Sequence, residues 1–224
     1  MKAHLIQSRE LAPGTRHFEF EAADWRAAFV PGQFLSLTKD DITRAYSIAS
    51  PPDGNRFALC ANLVTEGKFS PFLFGMNEGD EIDFKGPYGG FIMKRSASDS
   101  LFVATGTGIA PFRSMLLGHM NEHPERKVTL IFGVRHHHSL LYHEEFQALA
   151  DQNPNFFYHP TLTRPPDHWT GKTGRIQQHT LDVLGDRQDV DVYICGMKEM
   201  VDDLRAQLKA RGHDRKRIIY EKYD

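Results

Sequence analysis

The sequence predicts two domains of different fold class: a small antiparallel β-barrel or sandwich over residues 1–97, and a doubly wound parallel α/β domain over residues 98–224. The first observation behind this prediction is a series of short apolar runs, broken by turn residues, in the first 97 residues. The second is the alternation of apolar strands with helical patterns in the rest of the chain. At 224 residues the chain is long enough for each domain to bury a core.

The first part contains runs with the length and composition of strands. They are HFEFEA (17–22), GQFLSLT (32–38), RAYSIAS (44–50), RFALCANLV (56–64) and DEIDFKG (80–86). The turn-forming residues are Pro13-Gly14, Pro31-Gly32, Pro51-Pro52-Asp53-Gly54, Gly79-Asp80 and Gly86-Pro87. Strands at this spacing are typical of small antiparallel barrels and sandwiches. The polar stretch 94–100 is the expected domain boundary.

The second part has the rhythm of a parallel sheet with helical crossovers. Its predicted strands are LFVAT (101–105), VTLIFG (128–133), FFYHPTL (156–162), DVYIC (191–195) and RIIY (217–220). The first predicted helix covers 111–121, with an apolar face formed by Phe112, Met115, Leu116 and Met120. A second helix is expected to have its N-cap at Ser139. The last helix is predicted from the apolar series Met197, Met200, Val201, Leu204 and Leu208, and Gly212 is expected to end it.

Composition excludes several classes of protein. No apolar run approaches the roughly 18 residues of a membrane span, and the first residues lack the apolar stretch of a secretion signal. The only cysteines, Cys60 and Cys195, cannot form a disulfide framework or a four-cysteine iron–sulfur cluster. The net charge of −2 argues against nucleic-acid binding. We therefore expect a reduced, cytoplasmic setting with neither membrane nor nucleic acid as partner.

The stretch ATGTGIAPF (104–112) has the features of a phosphate-binding turn. It directly follows a predicted strand, where doubly wound sheets bind ligands. Gly106 and Gly108 let the backbone approach a ligand, and Pro111 suits the first turn of a helix whose N-terminus attracts anions. It is neither a Walker loop nor a Gly-x-Gly-x-x-Gly fingerprint, because no Gly-Lys-Ser/Thr follows and Pro111 takes the third glycine position. A plain strand-to-helix turn is the alternative.

Two motifs of the first part also suit a nucleotide. In RAYS (44–47), Arg44 and Tyr46 share one face of a strand and Ser47 lies on the other. Arginine can bind a phosphate through two hydrogen bonds, and tyrosine can stack on a flat ring. The N–H groups of GKFS (67–70) could bind a diphosphate. An ordinary barrel strand and a plain turn are the alternatives.

The motifs RAYS, GKFS, GPYGGF, TGTGIAP, GVRHHHSLLYHEEF and YICGMKEM occur in this order over nearly the whole chain. In these motifs the sequence resembles the ferredoxin–NADP reductase superfamily. The resemblance implies a Greek-key, flavin-binding antiparallel β-barrel over residues 1–97, followed by a doubly wound domain over residues 98–224 that binds a nicotinamide nucleotide. It implies FAD in preference to FMN, and NADP(H), with NAD(H) as the alternative.

The same resemblance implies the flavin site. Arg44 is expected to contact the flavin phosphates, Tyr46 to pack on the isoalloxazine ring and Ser47 to hydrogen-bond near its N5. The turn Gly67–Ser70 is expected to hold the pyrophosphate. The residues assigned to flavin binding with these motifs are Arg44, Ala45, Tyr46, Ser47, Asn62, Val64, Gly67, Lys68, Phe69 and Ser70.

The nicotinamide site follows from the same resemblance. Cys195 is expected beside the reacting C4 atom, although most free cysteines are buried core residues, as we expect for Cys60. The other residues assigned to this site are Thr105, Gly106, Thr107, Gly108, Pro111, Gly196 and Met197. Glu221 is expected to stabilise the half-reduced flavin or relay a proton. Tyr223 is expected to cover the flavin, with a frayed terminal residue as the alternative, and the role of Asp224 stays open.

The nucleotide's 2′-phosphate favours arginine partners. Arg135, Arg164 and Arg175 match positions where NADP(H)-using members carry arginine, and Thr163 adds a hydroxyl; some NADH-using relatives also carry arginines there. A metal site at residues 136–138, three consecutive histidines, is not predicted, because the usual ligand spacing is absent. We expect a solvated loop there.

The sequence thus predicts a flavoprotein reductase that passes electrons from NADPH through FAD to a ferredoxin or flavodoxin-like carrier. The basic groups that could face an acidic carrier, or be ordinary surface charge, are Lys94, Arg95, Arg211, Arg215, Lys216 and Arg217. The alternatives are a free-flavin or small-molecule reductase, the reductase component of an oxygenase, and a non-catalytic flavin-binding regulatory subunit. The absence of a Lys-Ser/Thr pair after the glycines argues against a nucleotide-phosphate hydrolase.

Overall fold

The computed structural model describes residues 1–26, 28–94, 98–119 and 125–223. The chain divides into two compact units. The first comprises Met1–Lys94 with Ala110–Met120, and the second comprises Arg95–Ile109 with Asn121–Asp224. No helix among the described residues combines the length and apolarity needed to cross a bilayer.

The first unit is a six-stranded antiparallel sheet that closes on itself. Its strands are β1 (Lys2–Ala12), β2 (Thr15–Glu21), β3 (Phe34–Lys39), β4 (Ile42–Ser47), β5 (Arg56–Asn62) and β6 (Glu81–Tyr88), in the order β4-β3-β6-β1-β2-β5. A bridge between Ile48 and Leu59 joins the chain beyond β4 to β5 and closes the barrel. A short helix, α1 (Ser70–Phe74), lies between β5 and β6. The predicted antiparallel barrel is confirmed.

The period-two burial of its strands fills the barrel with aromatic rings. Phe18 and Phe20 on β2 are fully buried, as are Phe57 on β5 and Phe84 on β6. Trp25 meets the rings of Phe57 and Phe84 edge-on, each at 5.5 Å. This side-chain core holds β4 in place and, with it, the motif RAYS.

A second helix, α2 (Ile109–His119), belongs to the first unit from Ala110 onwards. Phe112 packs on Phe91 with ring centroids 5.6 Å apart. The Arg113 guanidinium donates to the carbonyl of Ala49 at 2.8 Å, and the Ser114 hydroxyl to that of Ser50 at 2.6 Å. The predicted helix began at residue 111, whereas α2 begins two residues earlier. Pro111 lies in its first turn, as predicted, and the predicted end at 120–121 lies outside the described residues.

The second unit is a six-stranded, all-parallel sheet. Its strands are β7 (Ser100–Thr105), β8 (Val128–Val134), β9 (Phe156–Leu162), β10 (Lys172–Thr173), β11 (Asp191–Met197) and β12 (Ile218–Tyr223), in the order β10-β9-β8-β7-β11-β12. The chain runs outward from β7 through β8 and β9, then returns to add β11 on the opposite side. The sheet therefore has its topological switch point between β7 and β11, the usual place for a ligand.

Helices cover both faces of this sheet, as a doubly wound fold requires. The helices are α3 (His143–Gln152), α4 (Ile176–Leu184) and α5 (Lys198–Ala210). Residues of α4 and α5 share a buried cluster with one side of the strands, including Val103 and Ile194. On the opposite side, Phe146 of α3 packs on Tyr158 of β9. The predicted fold class is confirmed, although α4 and the two-residue β10 were not predicted.

Two local predictions are wrong. Ser139 does not cap a helix: it ends a 3-10 turn, and α3 begins only at His143, after Tyr142 turns the backbone with a left-handed φ of 55°. The intervening chain instead buries Leu140 and Leu141. Met197 is not on the buried face of α5, because it is the last residue of β11 and is 64% exposed.

The other predicted positions of α5 are confirmed. The buried residues of the helix are Met200, Val201, Leu204 and Leu208. Gly212 follows the C-cap with a φ of 84°, as expected for the residue that ends a helix.

Candidate functional site

At the switch point, the turn after β7 lies against the end of β11. A Cβ on Gly108 would stand 2.5 Å from the carbonyl oxygen of Cys195 and 2.7 Å from the nitrogen of Gly196. A Cβ on Gly196, whose φ is 141°, would collide with the Thr105 hydroxyl. The two backbones can approach this closely only because both positions are glycine.

The two glycines of the turn have different roles. Gly106 has a left-handed φ of 54°, and no atom lies within 4 Å of the place a Cβ would occupy. At Gly108 the corresponding place is occupied by the backbone of Cys195 and Gly196. The predicted role of both glycines is to let the backbone approach a ligand. The structure adds a second reason for Gly108, its packing on Cys195, whereas Gly106 faces open space. Ligand binding by the two glycines stays a prediction.

Thr105 links the turn to β11. Its backbone is the N-cap of the 3-10 turn Gly106–Gly108, which runs directly into α2. Its hydroxyl does not cap that turn, but accepts a hydrogen bond from the backbone N–H of Met197 at 3.3 Å. The Thr105 side chain therefore leaves the N–H groups at the start of the turn uncapped, and these groups can bind an anion.

Cys195 is fully buried beneath this turn. Burial and the nearby charge of Glu221 raise the pKa of its thiol well above the usual range, which outweighs a hydrogen bond from the Tyr223 hydroxyl. The residue is therefore a neutral thiol at physiological pH.

Glu221 and Tyr223 come from β12, the neighbouring strand. Glu221 is paired with Cys195 in the parallel register, and Tyr223 with Met197. Both are partly buried. Between them, Lys222 forms an ion pair with Asp202 of α5 at 2.6 Å, which fixes this part of the edge strand. The fold thus brings Glu221 and Tyr223 beside Cys195, whereas Asp224 lies outside the described residues.

The predicted 2′-phosphate residues line the carboxyl edge of the sheet. Arg135 follows β8, Thr163 and Arg164 follow β9, and Arg175 is the N-cap of α4. The N–H of Arg164 donates to the carbonyl of Arg135 at 2.8 Å, so these two residues are adjacent. All four side chains are exposed, and no ion pair with another described residue is found for the three arginines.

The three consecutive histidines lie on the loop after β8. The rings of His136 and His138 are stacked with centroids 5.3 Å apart, and His137 and His138 are exposed. Across the described ranges, no group of three His, Cys, Asp or Glu side chains is arranged to hold a metal ion. Trp169, a neighbour of this loop, was not among the predicted site residues. The only local pattern that marks it is its place between the prolines at 165–166 and Gly171.

The flavin motifs of the first unit come together around an aromatic pair. The rings of Tyr46 on β4 and Phe69 in the GKFS turn lie 5.9 Å apart. Burial raises the pKa of Tyr46 to about 12, so its hydroxyl stays protonated. Ser47 is buried on the opposite face of β4. Arg44 is exposed, with its guanidinium on the carbonyl of Thr43 at 2.8 Å.

The turn before α1 is held by its own serine. The Ser70 hydroxyl accepts from the N–H of Val64 at 2.9 Å and lies 3.2 Å from the Val64 carbonyl. The N–H of Gly67 donates to the same carbonyl at 2.8 Å. Asn62 accepts a hydrogen bond from Thr15 at 2.7 Å. The hydroxyl of Ser70 therefore shapes the turn, and the exposed Lys68 is its charged group.

One basic residue expected either at a carrier surface or as ordinary surface charge has a structural role. The guanidinium of Arg217 donates to the buried carboxylate of Asp191 at 3.0 Å and to the carbonyl of Asp189 at 2.9 Å. These bonds hold the start of β12 to the start of β11. Arg217 is thus committed within the fold, while Arg95 lies outside the described residues.

Comparison with known proteins agrees with this architecture. Residues 2–92 match the family model of the oxidoreductase FAD-binding domain, and residues 102–206 match that of the oxidoreductase NAD-binding domain. The whole chain is 35% identical to ferredoxin–NADP reductase B of Sorangium cellulosum and covers 97% of it. It is 30% identical to the toluate 1,2-dioxygenase electron transfer component of Pseudomonas putida, over 99% of the chain and 67% of that protein.

A solved structure extends the likeness to three dimensions. The crystal structure of a ferredoxin NADP⁺ reductase from Neisseria gonorrhoeae with bound FAD and NADP has a TM-score of 0.82, covering 99% of this chain and 98% of that one. At 24% identity this likeness concerns the fold. The domain models show that the two cofactors of this chain are FAD and a nicotinamide nucleotide.

Proposed function

On the premise that the chain belongs to the ferredoxin–NADP reductase superfamily and is an NAD(P)H-dependent flavoprotein oxidoreductase, we propose that it oxidises NADPH. The electrons then pass through FAD to a small carrier protein such as a ferredoxin or flavodoxin. The observation that carries this proposal is the packing of the turn Thr105–Gly108 on Cys195 and Gly196. It leaves uncapped N–H groups and an open space beside Gly106 at the switch point, which suits a pyrophosphate.

The choice of NADPH rests on Arg135, Arg164 and Arg175. Three exposed guanidinium groups at the carboxyl edge of the sheet, without ion-pair partners among the described residues, suit the 2′-phosphate that NADH lacks. The hydroxyl of Thr163 is a further donor beside Arg164.

The residues around Tyr46 fit a flavin. The aromatic pair Tyr46–Phe69 offers a surface for a flat ring, and the exposed Arg44 and Lys68 offer charges for its phosphates. We assign Ser47 as a hydrogen-bonding partner of the ring near N5. The domain boundary that we propose with this assignment lies between residues 97 and 98.

FAD held by these residues would supply the redox chemistry that links hydride transfer to electron transfer. The chain's own residues bind and orient the reactants. Thr105 and Gly108 hold the pyrophosphate turn against β11, and Cys195 places an uncharged, polarizable side chain beneath it. Glu221 on β12, which is paired with Cys195 on β11, is the proposed proton carrier.

A second candidate is the reductase component of an oxygenase system. The similarity to the Pseudomonas putida electron transfer component supports it, because that relative spans 99% of this chain. Here the hydride donor could be NADH, and the acceptor a separate electron carrier.

The test is anaerobic stopped-flow mixing of the purified holoenzyme with NADPH or NADH, followed by flavin absorbance. Fast bleaching by NADPH with a much weaker response to NADH supports the proposal, and ferredoxins and flavodoxins are then compared as acceptors. Equal or better bleaching by NADH moves the oxygenase component to the front. Flavin that neither donor bleaches refutes both candidates.

A further inference from the structure

The segment 48–50 follows Ser47 at the end of β4 and is bonded on one side by the barrel. The backbone N–H of Ala49 donates to the carbonyl of Ala58 on β5 at 2.7 Å. The side-chain hydroxyl of Ser50 accepts the N–H of the same Ala58 at 2.9 Å. Strand β5 thus holds this segment through a backbone bond and a side-chain bond.

The carbonyl groups of the segment are bonded by α2. The guanidinium of Arg113 donates to the carbonyl of Ala49 at 2.8 Å, and the hydroxyl of Ser114 donates to that of Ser50 at 2.6 Å. Because Ser114 is fully buried, solvent does not compete for its bond. Two consecutive side chains of one helix therefore bind two consecutive carbonyls of the chain that leaves β4.

Close packing keeps α2 in place on the barrel. A Cβ on Gly32 would collide with Cε of the fully buried Met115. Gly118 approaches Pro31 so closely that a Cβ at position 118 would stand 2.9 Å from Cγ of that proline. The helix therefore cannot slide along the barrel, and its two donors stay opposite the two carbonyls.

The bonded carbonyls are close in sequence to a residue of the flavin site. Ser47 is the last residue of β4 and is buried, and only Ile48 separates it from Ala49. The planar peptide units between them pass a shift of the segment on to the backbone of Ser47. Tyr46 has an anchor of its own, the ring of Phe69. Loss of a donor on α2 is therefore expected to move Ser47 more than Tyr46.

We propose that Arg113 and Ser114 are positioning residues of the flavin site, which act by keeping the hydroxyl of Ser47 within reach of the ring near N5. This inference rests on the role proposed above for Ser47. A misplacement of about 1 Å that originates away from the reacting atoms can slow a reaction by about a hundredfold. Helix α2 follows the turn after β7 in the chain, yet these two side chains serve the flavin.

The test compares Ser114→Ala with the control Thr180→Val in the FAD-loaded protein. Each change removes a buried hydroxyl that donates to a carbonyl, since Thr180 of α4 donates to the carbonyl of Ile176 at 2.9 Å. Ser114→Ala is expected to slow flavin reduction at saturating NADPH by about tenfold, and Thr180→Val to leave it unchanged. The Kd for 2′,5′-ADP, a fragment of NADPH without the nicotinamide, should stay the same in both variants.

Visible circular dichroism of the bound flavin is the second readout, because it reports the surroundings of the ring and needs no electron donor. We expect a changed spectrum in Ser114→Ala and the natural spectrum in Thr180→Val. Arg113→Lys keeps a charged donor and should retain most of the rate, whereas Arg113→Met should repeat the effect of Ser114→Ala. This second pair keeps the test decisive if Ser114→Ala does not fold.

A natural rate and a natural dichroism spectrum in both Ser114→Ala and Arg113→Met overturn the inference. An equal loss of rate in Thr180→Val also overturns it, because any lost buried hydrogen bond would then slow the reaction. So does a tenfold weaker binding of 2′,5′-ADP in Ser114→Ala, which would place the effect on the nucleotide. A changed flavin spectrum in Ser114→Ala, in a protein whose natural form is not bleached by NADPH, contradicts the proposed function alone.

Discussion

The backbone of Gly108 lies against the carbonyl of Cys195, so close that a Cβ at position 108 would stand 2.5 Å from that oxygen. The next residue of β11, Gly196, makes the converse contact: a Cβ at position 196 would collide with the hydroxyl of Thr105. The turn after β7 and the end of β11 therefore form one rigid element. Its geometry depends on two glycines and one threonine.

Replacing Gly108 by alanine is expected to displace this element. The added Cβ must push the turn away from Cys195, and overpacking of this kind costs about 1–3 kcal/mol. We expect that loss in the free energy of unfolding, measured with urea. We also expect flavin reduction at saturating NADPH to slow by at least about tenfold, the loss that about 1.4 kcal/mol of transition-state stabilisation gives.

Gly106→Ala is the matched control in the same turn. Here the Cβ enters open space, and the cost is the left-handed backbone alone, about 1–2 kcal/mol. In Gly108→Ala the thiol of Cys195 should become accessible to an aromatic disulfide reagent, and in Gly106→Ala it should not. If the thiol of Cys195 is equally accessible in both variants, the glycine at position 108 is not needed for packing on Cys195.

Thr105→Val is expected to uncouple β11 from the turn. Valine keeps the shape of threonine but cannot accept the N–H of Met197, and a lost hydrogen bond of this type costs about 1 kcal/mol. Thr105→Ser keeps the acceptor and should retain most of the stability and most of the rate of flavin reduction. A valine variant as stable and as fast as the serine variant contradicts this role.

Cys195 is expected to be inert to alkylation in the folded protein. Its thiol is fully buried and its raised pKa keeps the reactive thiolate scarce at pH 8. Mass spectrometry after iodoacetamide treatment of Cys60→Ser should find no adduct before unfolding and one adduct after it. Rapid labelling of the folded protein would mean that Cys195 is a thiolate or is reached by solvent.

His17 is expected to make stability depend on pH. It is 3% exposed, and burial together with Arg113 and Arg9 lowers its pKa to about 3. Its neutral ring donates to Glu19 at 3.1 Å. The unfolded chain binds a proton near pH 6.5 and the folded protein does not, so stability falls as the pH drops from about 6.5 toward 3, by up to about 1.4 kcal/mol per unit.

His17→Gln should flatten this profile in urea titrations between pH 7 and pH 4. The exposed His138→Gln is the control and should keep the slope of the natural protein. An unchanged slope in His17→Gln excludes His17 as its origin.

Arg164→Ala is expected to raise the KM for NADPH by about ten- to a hundredfold, because a charge-assisted hydrogen bond contributes about 1.5–3 kcal/mol. The KM for NADH should change little. Arg56→Ala is the control, since Arg56 is paired with Glu21 on the barrel at 3.1 Å. A parallel rise for both donors in Arg164→Ala would exclude a specific contact with the 2′-phosphate.

Most of the fold could be predicted from local patterns, and the exceptions have local causes. Strands β7 and β11 contain the uninterrupted apolar or aromatic runs LFVA (101–104) and VYIC (192–195), and these are read directly from the sequence. Strand β1 was not predicted because, in KAHLIQSRELA, only Ala3, Leu5 and Ala12 are buried, too few for an alternating pattern. Ser139 resembled a helix N-cap, but burial of Leu140 and Leu141 delays α3.

Short motifs in the sequence indicate which residues belong to the candidate site, but they do not indicate the contacts between those residues. Gly106, Gly108 and Cys195 lie in short motifs. The contacts that hold the turn after β7 against β11, however, join distant parts of the chain. Thr105 and Met197 are 92 residues apart, so no local pattern indicates their hydrogen bond. The contact of His137 with Trp169 depends in the same way on the pairing of β8 with β9.

Helix α2 has a consequence for the design of chimeras. The chain enters it from β7 and leaves it toward β8, yet from Ala110 onwards it belongs to the unit of the barrel. A hybrid made with a single crossover near residue 97 would import a foreign helix onto the carbonyls of Ala49 and Ser50, which Arg113 and Ser114 bind here. A chimera that joins another nucleotide domain to this barrel therefore needs three crossovers, so that residues 110–119 of this chain are retained with the barrel.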